Sequence, residues 1–100
     1  MTKPVTLSQT FAPKPGLVVQ ILGQEAVLVH PERGRVQVFN AVGSYIWKLL
    51  DGHNSLKQVV VEIEKTYGIS AERAQSDVLA FCHQLLVRDL IVVHENEDLA

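Results

Sequence analysis

The sequence predicts an α+β domain in which a three-stranded antiparallel sheet precedes three helices. Two observations carry that expectation. Between residues 17 and 39 the apolar residues fall in short β-rich runs separated by glycine and proline turn signals. From residue 40 onward the period becomes helical, and each apolar stripe is preceded by a capping residue.

Residues 1–16 hold three of the four prolines, Pro4, Pro13 and Pro15, and show no helical period. They read as a flexible, extended arm. The alternative is an arm that adds to a sheet, on this subunit's neighbour for example. The domain proper spans residues 17–93. Leu17 to Leu22 is a first strand, ended by Gly23-Gln24-Glu25, and Ala26 to His30 is a second. Pro31-Glu32-Arg33-Gly34 then places proline and glycine as a turn requires. Arg35 to Phe39 is a third strand with strict alternation, Val36 and Val38 to one face, Arg35, Gln37 and Phe39 to the other. Turns this short favour a meander.

The first helix takes Asn40 as its N-cap and Gly52 as its stop, with Val42, Tyr45, Ile46, Leu49 and Leu50 on one face. Ser55 and Gln58 form a capping box for the second helix. That helix buries Leu56, Val59, Val60, Ile63 and Tyr67 and ends at Gly68. Ser70 caps a third helix that runs to about Arg88. Ile91, Val92 and Val93 form either a short strand or an extended tail, and residues 94–100 are an acidic, frayed end. The order of elements is compatible with a winged helix-turn-helix, although pattern alone does not separate that from other small α+β folds.

Composition removes several function classes. A net charge of −2 lacks the clustered Lys and Arg that a nucleic-acid partner requires. The single cysteine, Cys82, excludes an intrachain disulfide and suits a reducing cytoplasm. There is no signal-peptide pattern, and no apolar run approaches the roughly 20 residues of a membrane span. A cytoplasmic protein with no membrane association is expected.

No catalytic constellation is visible. His30, His53, His83 and His94 form no i, i+4 pair, and Cys82 and His83 diverge as adjacent helical residues, so no metal site is expected. Cys82 falls within an apolar stripe, where a small buried hydrophobe is its usual role. Glu62 and Glu64 diverge and read as solvated surface. Glycines form no phosphate loop. Neither an enzyme nor a cofactor is expected. Trp47 reads as core, Asn40 and Gly43 as capping and close packing.

The third helix carries an apolar surplus. One stripe holds Ala74, Val78, Phe81 and Leu85, a second Leu79, Cys82, Leu86 and Leu90. Either the helix is central and buried on two sides, or part of this face lines a groove beside the third strand. The last strand of a meander is commonly an edge, and an edge is a template for strand addition. Arg35 and Gln37 then either guard that edge or contact a peptide. Asp77 either bonds a neighbouring helix terminus or a peptide group.

The ordered set Asn40, Gly43, Ile46-Trp47, Leu50-Asp51-Gly52, Asp77-Val78, Phe81, Leu85 and Leu90-Ile91 resembles the PqqD-like family, named for pyrroloquinoline quinone biosynthesis protein D. The resemblance covers roughly Gly16 to Val93. It implies a winged helix-turn-helix with an N-terminal three-stranded sheet. It also implies a non-catalytic peptide chaperone. Such members bind the leader of a ribosomally made precursor peptide as an extra strand and present it to a modifying enzyme, often a radical S-adenosylmethionine protein. Relatives in other pathways have other enzymes, kinase-like ones included. By the resemblance, Arg35, Val36, Gln37, Val38 and Phe39 offer the edge, and Asp77, Phe81, Gln84, Leu85 and Arg88 the helical wall.

Three positions depart from the family pattern. Val42 replaces a small polar residue at the helix start. Asp89 stands where glycine often precedes the Leu-Ile pair, although aspartate tolerates the left-handed conformation. Cys82 replaces a bulkier aliphatic residue. The competing reading is a winged-helix DNA-binding regulator. Glu72, Asp77 and Asp89 against Arg73 and Arg88 make the third helix a poor surface for phosphates. The open edge and the arm also lead to the expectation of a homodimer.

Overall fold

The computed structural model describes residues 5–94. Its elements run β1 (Phe11–Pro13), β2 (Val18–Leu22), β3 (Glu25–His30), β4 (Arg35–Phe39), α1 (Ala41–Leu49), α2 (Leu56–Tyr67), α3 (Ala71–Val87) and β5 (Ile91–Val93). The expected meander is present, with strand order β2-β3-β4, antiparallel throughout. Gly23 turns the β2–β3 hairpin at φ +65°, and Gly34 closes the β3–β4 turn at φ +63°, both in the region that favours glycine.

Register fixes the faces of this sheet. Ala26 pairs with Phe39 and Leu28 with Gln37, so one face carries Ala26, Leu28 and Phe39 into the core. The opposite face carries Val18, Leu22, Val36 and Val38, all exposed. The alternation read for β4 is therefore the observed one.

The proline-rich segment departs from its expectation as a flexible arm. Phe11 is completely buried, and β1 pairs antiparallel with β5, Phe11 opposite Val93 and Pro13 opposite Ile91. Further backbone bonds hold the segment down: Leu56 N–H to Gln9 O at 2.9 Å, Lys57 N–H to Leu7 O at 2.9 Å, and Gly52 N–H to Phe11 O at 2.9 Å. Prolines remove donors, but a two-stranded ribbon tolerates that loss at its ends. The large apolar Phe11 supplies the reason to dock. The arm adds to a sheet within its own chain, and Ile91–Val93 is a strand. His94 N–H donates to Thr10 O at 2.8 Å; residues 1–4 of the arm and 95–100 of the acidic tail lie outside the described residues.

The first helix is shorter than its pattern suggests, and one residue of its predicted inner face, Val42, lies outside the core. It ends at Leu49, with Gly52 in the following turn at φ +86°. Its buried residues are Gly43, Ser44, Ile46 and Trp47, whereas Val42 is 39% exposed. Ser44 can occupy the inner face because its hydroxyl donates to Phe39 O at 3.3 Å. Trp47 is core, 5.8 Å from the Phe39 ring.

The α2 capping box is complete: Gln58 N–H donates to Ser55 Oγ at 3.3 Å and Ser55 N–H to Gln58 Oε1 at 2.8 Å. Leu56, Val59, Val60 and Ile63 are buried as expected. Tyr67 is not; it lies edge-on to Tyr45 with centroids 6.2 Å apart. Tyr45 Oη donates to Glu62 Oε2 at 3.2 Å, so Glu62 holds a partner that its sequence position did not reveal.

On α3 the two apolar stripes merge into one. Ala74, Val78, Cys82 and Leu85 are buried, with Leu79, Phe81 and Leu86 packed half-buried beside them. Burial pushes the Cys82 thiol up to about 12, which suits an inert core residue. Asp89 adopts φ +61° just past the helix. Its carboxylate accepts from Lys14 at 2.9 Å and meets His30 Nε2 at 3.3 Å and Arg33 Nε at 3.6 Å. One side chain thereby ties the N-terminal segment and the β3–β4 turn to the end of α3. The Lys14 and His30 contacts, in that order, hold its carboxyl below the usual carboxylate range.

Candidate functional site

A groove of about 330 Å³ runs between β4 and α3. Three elements build it, each for a local reason. The strand side comes from Gln37, Val38 and Phe39. Being last in the strand order, β4 has no neighbouring strand on this side among the described residues.

The floor comes from the first two turns of α1: Asn40, Val42, Gly43 and Ile46. Asn40 starts the helix here by accepting the Gly43 N–H at 2.9 Å. Gly43 lets the helix approach closely. A Cβ there would meet Phe39 Cβ, Phe81 Cε1 and Asn40 Oδ1, each at 3.3 Å.

The helical side comes from Asp77, Phe81, Gln84, Leu85 and Arg88 of α3 and its cap. These lie on one stripe because 77, 81, 84, 85 and 88 are spaced by three and four. Phe81 stands edge-on to Phe39 with centroids 5.1 Å apart, an aromatic contact that joins helix to strand beneath the groove. Arg88 Nη1 donates to Gln37 Oε1 and spans the groove at one end. Asp77 is paired with Arg73 of its own helix at 3.8 Å and bonds no helix terminus. Both arginines of the helix and its cap are thus engaged.

Apolar walls, a polar rim and an open strand edge suit an extended chain better than a small reacting molecule. Of the ten residues singled out from sequence, eight line this groove: Gln37, Val38, Phe39, Asp77, Phe81, Gln84, Leu85 and Arg88. Arg35 and Val36 lie further along the same edge, Val36 on the outer face at 64% exposure. The floor residues Asn40, Val42, Gly43 and Ile46 were read as capping, packing or core positions and not as peptide contacts. The i, i+3 spacing of Asn40, Gly43 and Ile46 places them on one stripe, and a glycine beside a helix cap is the signal that marks it.

The family model for Coenzyme PQQ synthesis protein D (PqqD) matches residues 25–91. The chain belongs to the PqqD family. A solved structure described as TbiB1 in complex with the TbiA(beta) leader peptide is similar to it, with a TM-score of 0.75 and 25% identity. That likeness covers 87% of this chain and 99% of the other. No curated protein sequence matches. The winged helix-turn-helix architecture expected of a PqqD-family chain is the one observed, with the β1–β5 ribbon in addition. No helix among its described residues is long and apolar enough to cross a membrane.

Proposed function

We propose that this PqqD-family chain binds the leader of a ribosomally made precursor peptide as an added strand on β4, and presents it to a modifying enzyme. One observation carries the reading: among the described residues the unpaired edge of β4 overhangs a groove of mixed apolar and polar lining whose far wall is α3.

Hairpin geometry indicates which backbone groups are free. A two-residue hairpin closes on a hydrogen-bonded pair, so Leu22 and Glu25 bond each other, and bonding then alternates along the ladder. Carried across β3, the alternation turns the N–H and C=O groups of Val36 and Val38 outward from β4. A leader strand binds those four groups whatever its sequence. Its alternate side chains then enter the groove toward Phe81, Ile46 and Leu85, and the opposite ones remain in solvent. Specificity falls to the fit of one or two apolar residues between Phe39 and Phe81. The Gln37–Arg88 bond crosses one end, so the ligand displaces it or exchanges it for contacts of its own.

The protein performs no chemistry in this scheme. Holding the leader raises the local concentration of the attached core peptide at the enzyme, which multiplies the rate without any new catalytic group. The solved leader-peptide complex of TbiB1, similar in fold over most of this chain, supports the reading.

Titration of isotope-labelled protein with the leader encoded beside it tests the proposal. Amide shifts are expected to concentrate at residues 35–39 and along 77–88. Shifts confined to α2 or to the β1–β5 ribbon would refute the mode.

A further inference from the structure

We infer that the groove beside β4 reads the order of charges in its leader: a basic residue first, one or two apolar residues, then an acidic residue about four to six positions on, all on one face of the added strand. This rests on the peptide-binding reading and adds to it the chemistry of the sequence that fits.

The first ground is where the charges stand. Among the described residues lining the groove, only Asp77 and Arg88 carry charge. They share one stripe of α3 and its cap, about three turns and 16 Å apart along the axis. Two contacts fix which end is which. Arg88 reaches Gln37 of β4, and Phe81, one turn from Asp77, stands against Phe39. α3 and β4 therefore run in opposite directions, with Arg88 beside the start of the strand and Asp77 near its end. Arg35 lies at that same start, on the face of Gln37.

The second ground is how weakly these charges are matched. Arg88 is held across the groove by a neutral amide, and among the described residues neither it nor Arg35 forms an ion pair. Asp89, the carboxylate next to Arg88 in sequence, is already shared by Lys14, His30 and Arg33. Asp77 pairs only with Arg73, at 3.8 Å, and both side chains are more than half exposed. A pair so open to water is worth little, and a cation lying in the groove replaces it at small cost. An arginine that bonds an amide gains a charge-assisted, bidentate partner when a carboxylate arrives.

The third ground is direction. Both pairings of the sheet are antiparallel, and an antiparallel addition gives complete hydrogen-bonded pairs at Val36 and Val38. The leader then enters at the Phe39 end and leaves at the Arg35 end. Its basic residue comes first, beside Asp77, and its acidic residue later, beside Arg35 and Arg88. Groove-facing residues recur at every second position and a strand advances about 3.3 Å per residue, so spacings of about four and six bracket the distance between the two charges. The positions between them face Phe81, Ile46 and Leu85 and are apolar for that reason.

Two synthetic peptides of one composition test this: Lys-Thr-Leu-Thr-Leu-Thr-Glu and Glu-Thr-Leu-Thr-Leu-Thr-Lys, each blocked at both ends and carrying a net-neutral rhodamine on a glycine linker. Anisotropy should show the first binding at least about fivefold more tightly at low salt, with the preference shrinking toward about twofold in about 0.5 M sodium chloride. Asp77→Lys combined with Arg88→Glu should reverse the preference. Both side chains are exposed, so the circular dichroism spectrum should not change. Equal affinity for the two peptides, tighter binding of the second, binding of neither, or a preference that the double variant leaves unreversed each overturns the charge order. The leader titration above judges the peptide-binding reading by itself: leader shifts at residues 35–39 beside equal affinity for the two peptides would sink the charge order alone.

Discussion

The β2–β3–β4 sheet has two open edges of equal length, and they differ in what lies alongside. Next to β4 stand the start of α1 and the length of α3, which turn the edge into one wall of a groove with Phe81 and Leu85 opposite. Beside β2 no helix stands guard, and the strand is exposed on both faces. Backbone groups are the same at both edges. The difference teaches that an edge alone gives pairing without discrimination, and that a helix held at a groove's width adds choice of side chain.

Equivalent lesions at the two edges give the largest expected effect. Val38→Pro removes an outward N–H from β4 while leaving the β3 ladder intact, and should lower leader affinity about tenfold or more. Ile21→Pro makes the same lesion on β2 and should leave that affinity within about twofold. Anisotropy of a labelled leader measures both, and equal losses would abolish the distinction between the edges.

Gly43→Ala acts on the groove floor. Its methyl group meets three atoms at 3.3 Å, so overpacking should cost about 1–2 kcal/mol and lower Tm by several degrees in a scanning calorimeter.

Asp89→Asn acts furthest from both edges, on the support of the β3–β4 turn. The folded carboxyl titrates below its unfolded value, so its contribution is complete above the ordinary aspartate value of about 3.9 and disappears as pH falls through the depressed folded value. Urea midpoints of wild type and variant should therefore differ at pH 6 and converge in acid. A difference that persists in acid would mean the ion pairs are not its source.

Much of this fold was legible. The period-two runs gave β2 to β4 within a residue of their ends, and Asn40, Ser55, Ser70 and Gly68 marked helix limits through side-chain and backbone bonding that depends only on local sequence. The five residues of the helical wall came from the family resemblance, and their spacing by three and four is why they share one face of α3 and its cap along the groove. What escaped reading was long-range. Pairing of Phe11 with Val93 joins the two ends of the chain, and no local pattern encodes it. The Asp89 cluster draws Lys14 from the N-terminal segment and His30 and Arg33 from the end of β3 and its turn. The groove floor stayed hidden because Val42, read as part of the buried face, is 39% exposed and lines the groove, while Ile46, Leu50, Tyr45 and Leu49 pack as that face predicts.

The β1–β5 ribbon has a consequence for the order of assembly. The two pairings of the meander link strands that follow one another, whereas this one waits until both ends have been made. Closing so long a loop is the costly step, so the ribbon is expected to form after the two hairpins. The two ends of the chain thereby come to depend on each other, since losing either strand would uncover Phe11 and Ile91, both part of the core shared with the helices.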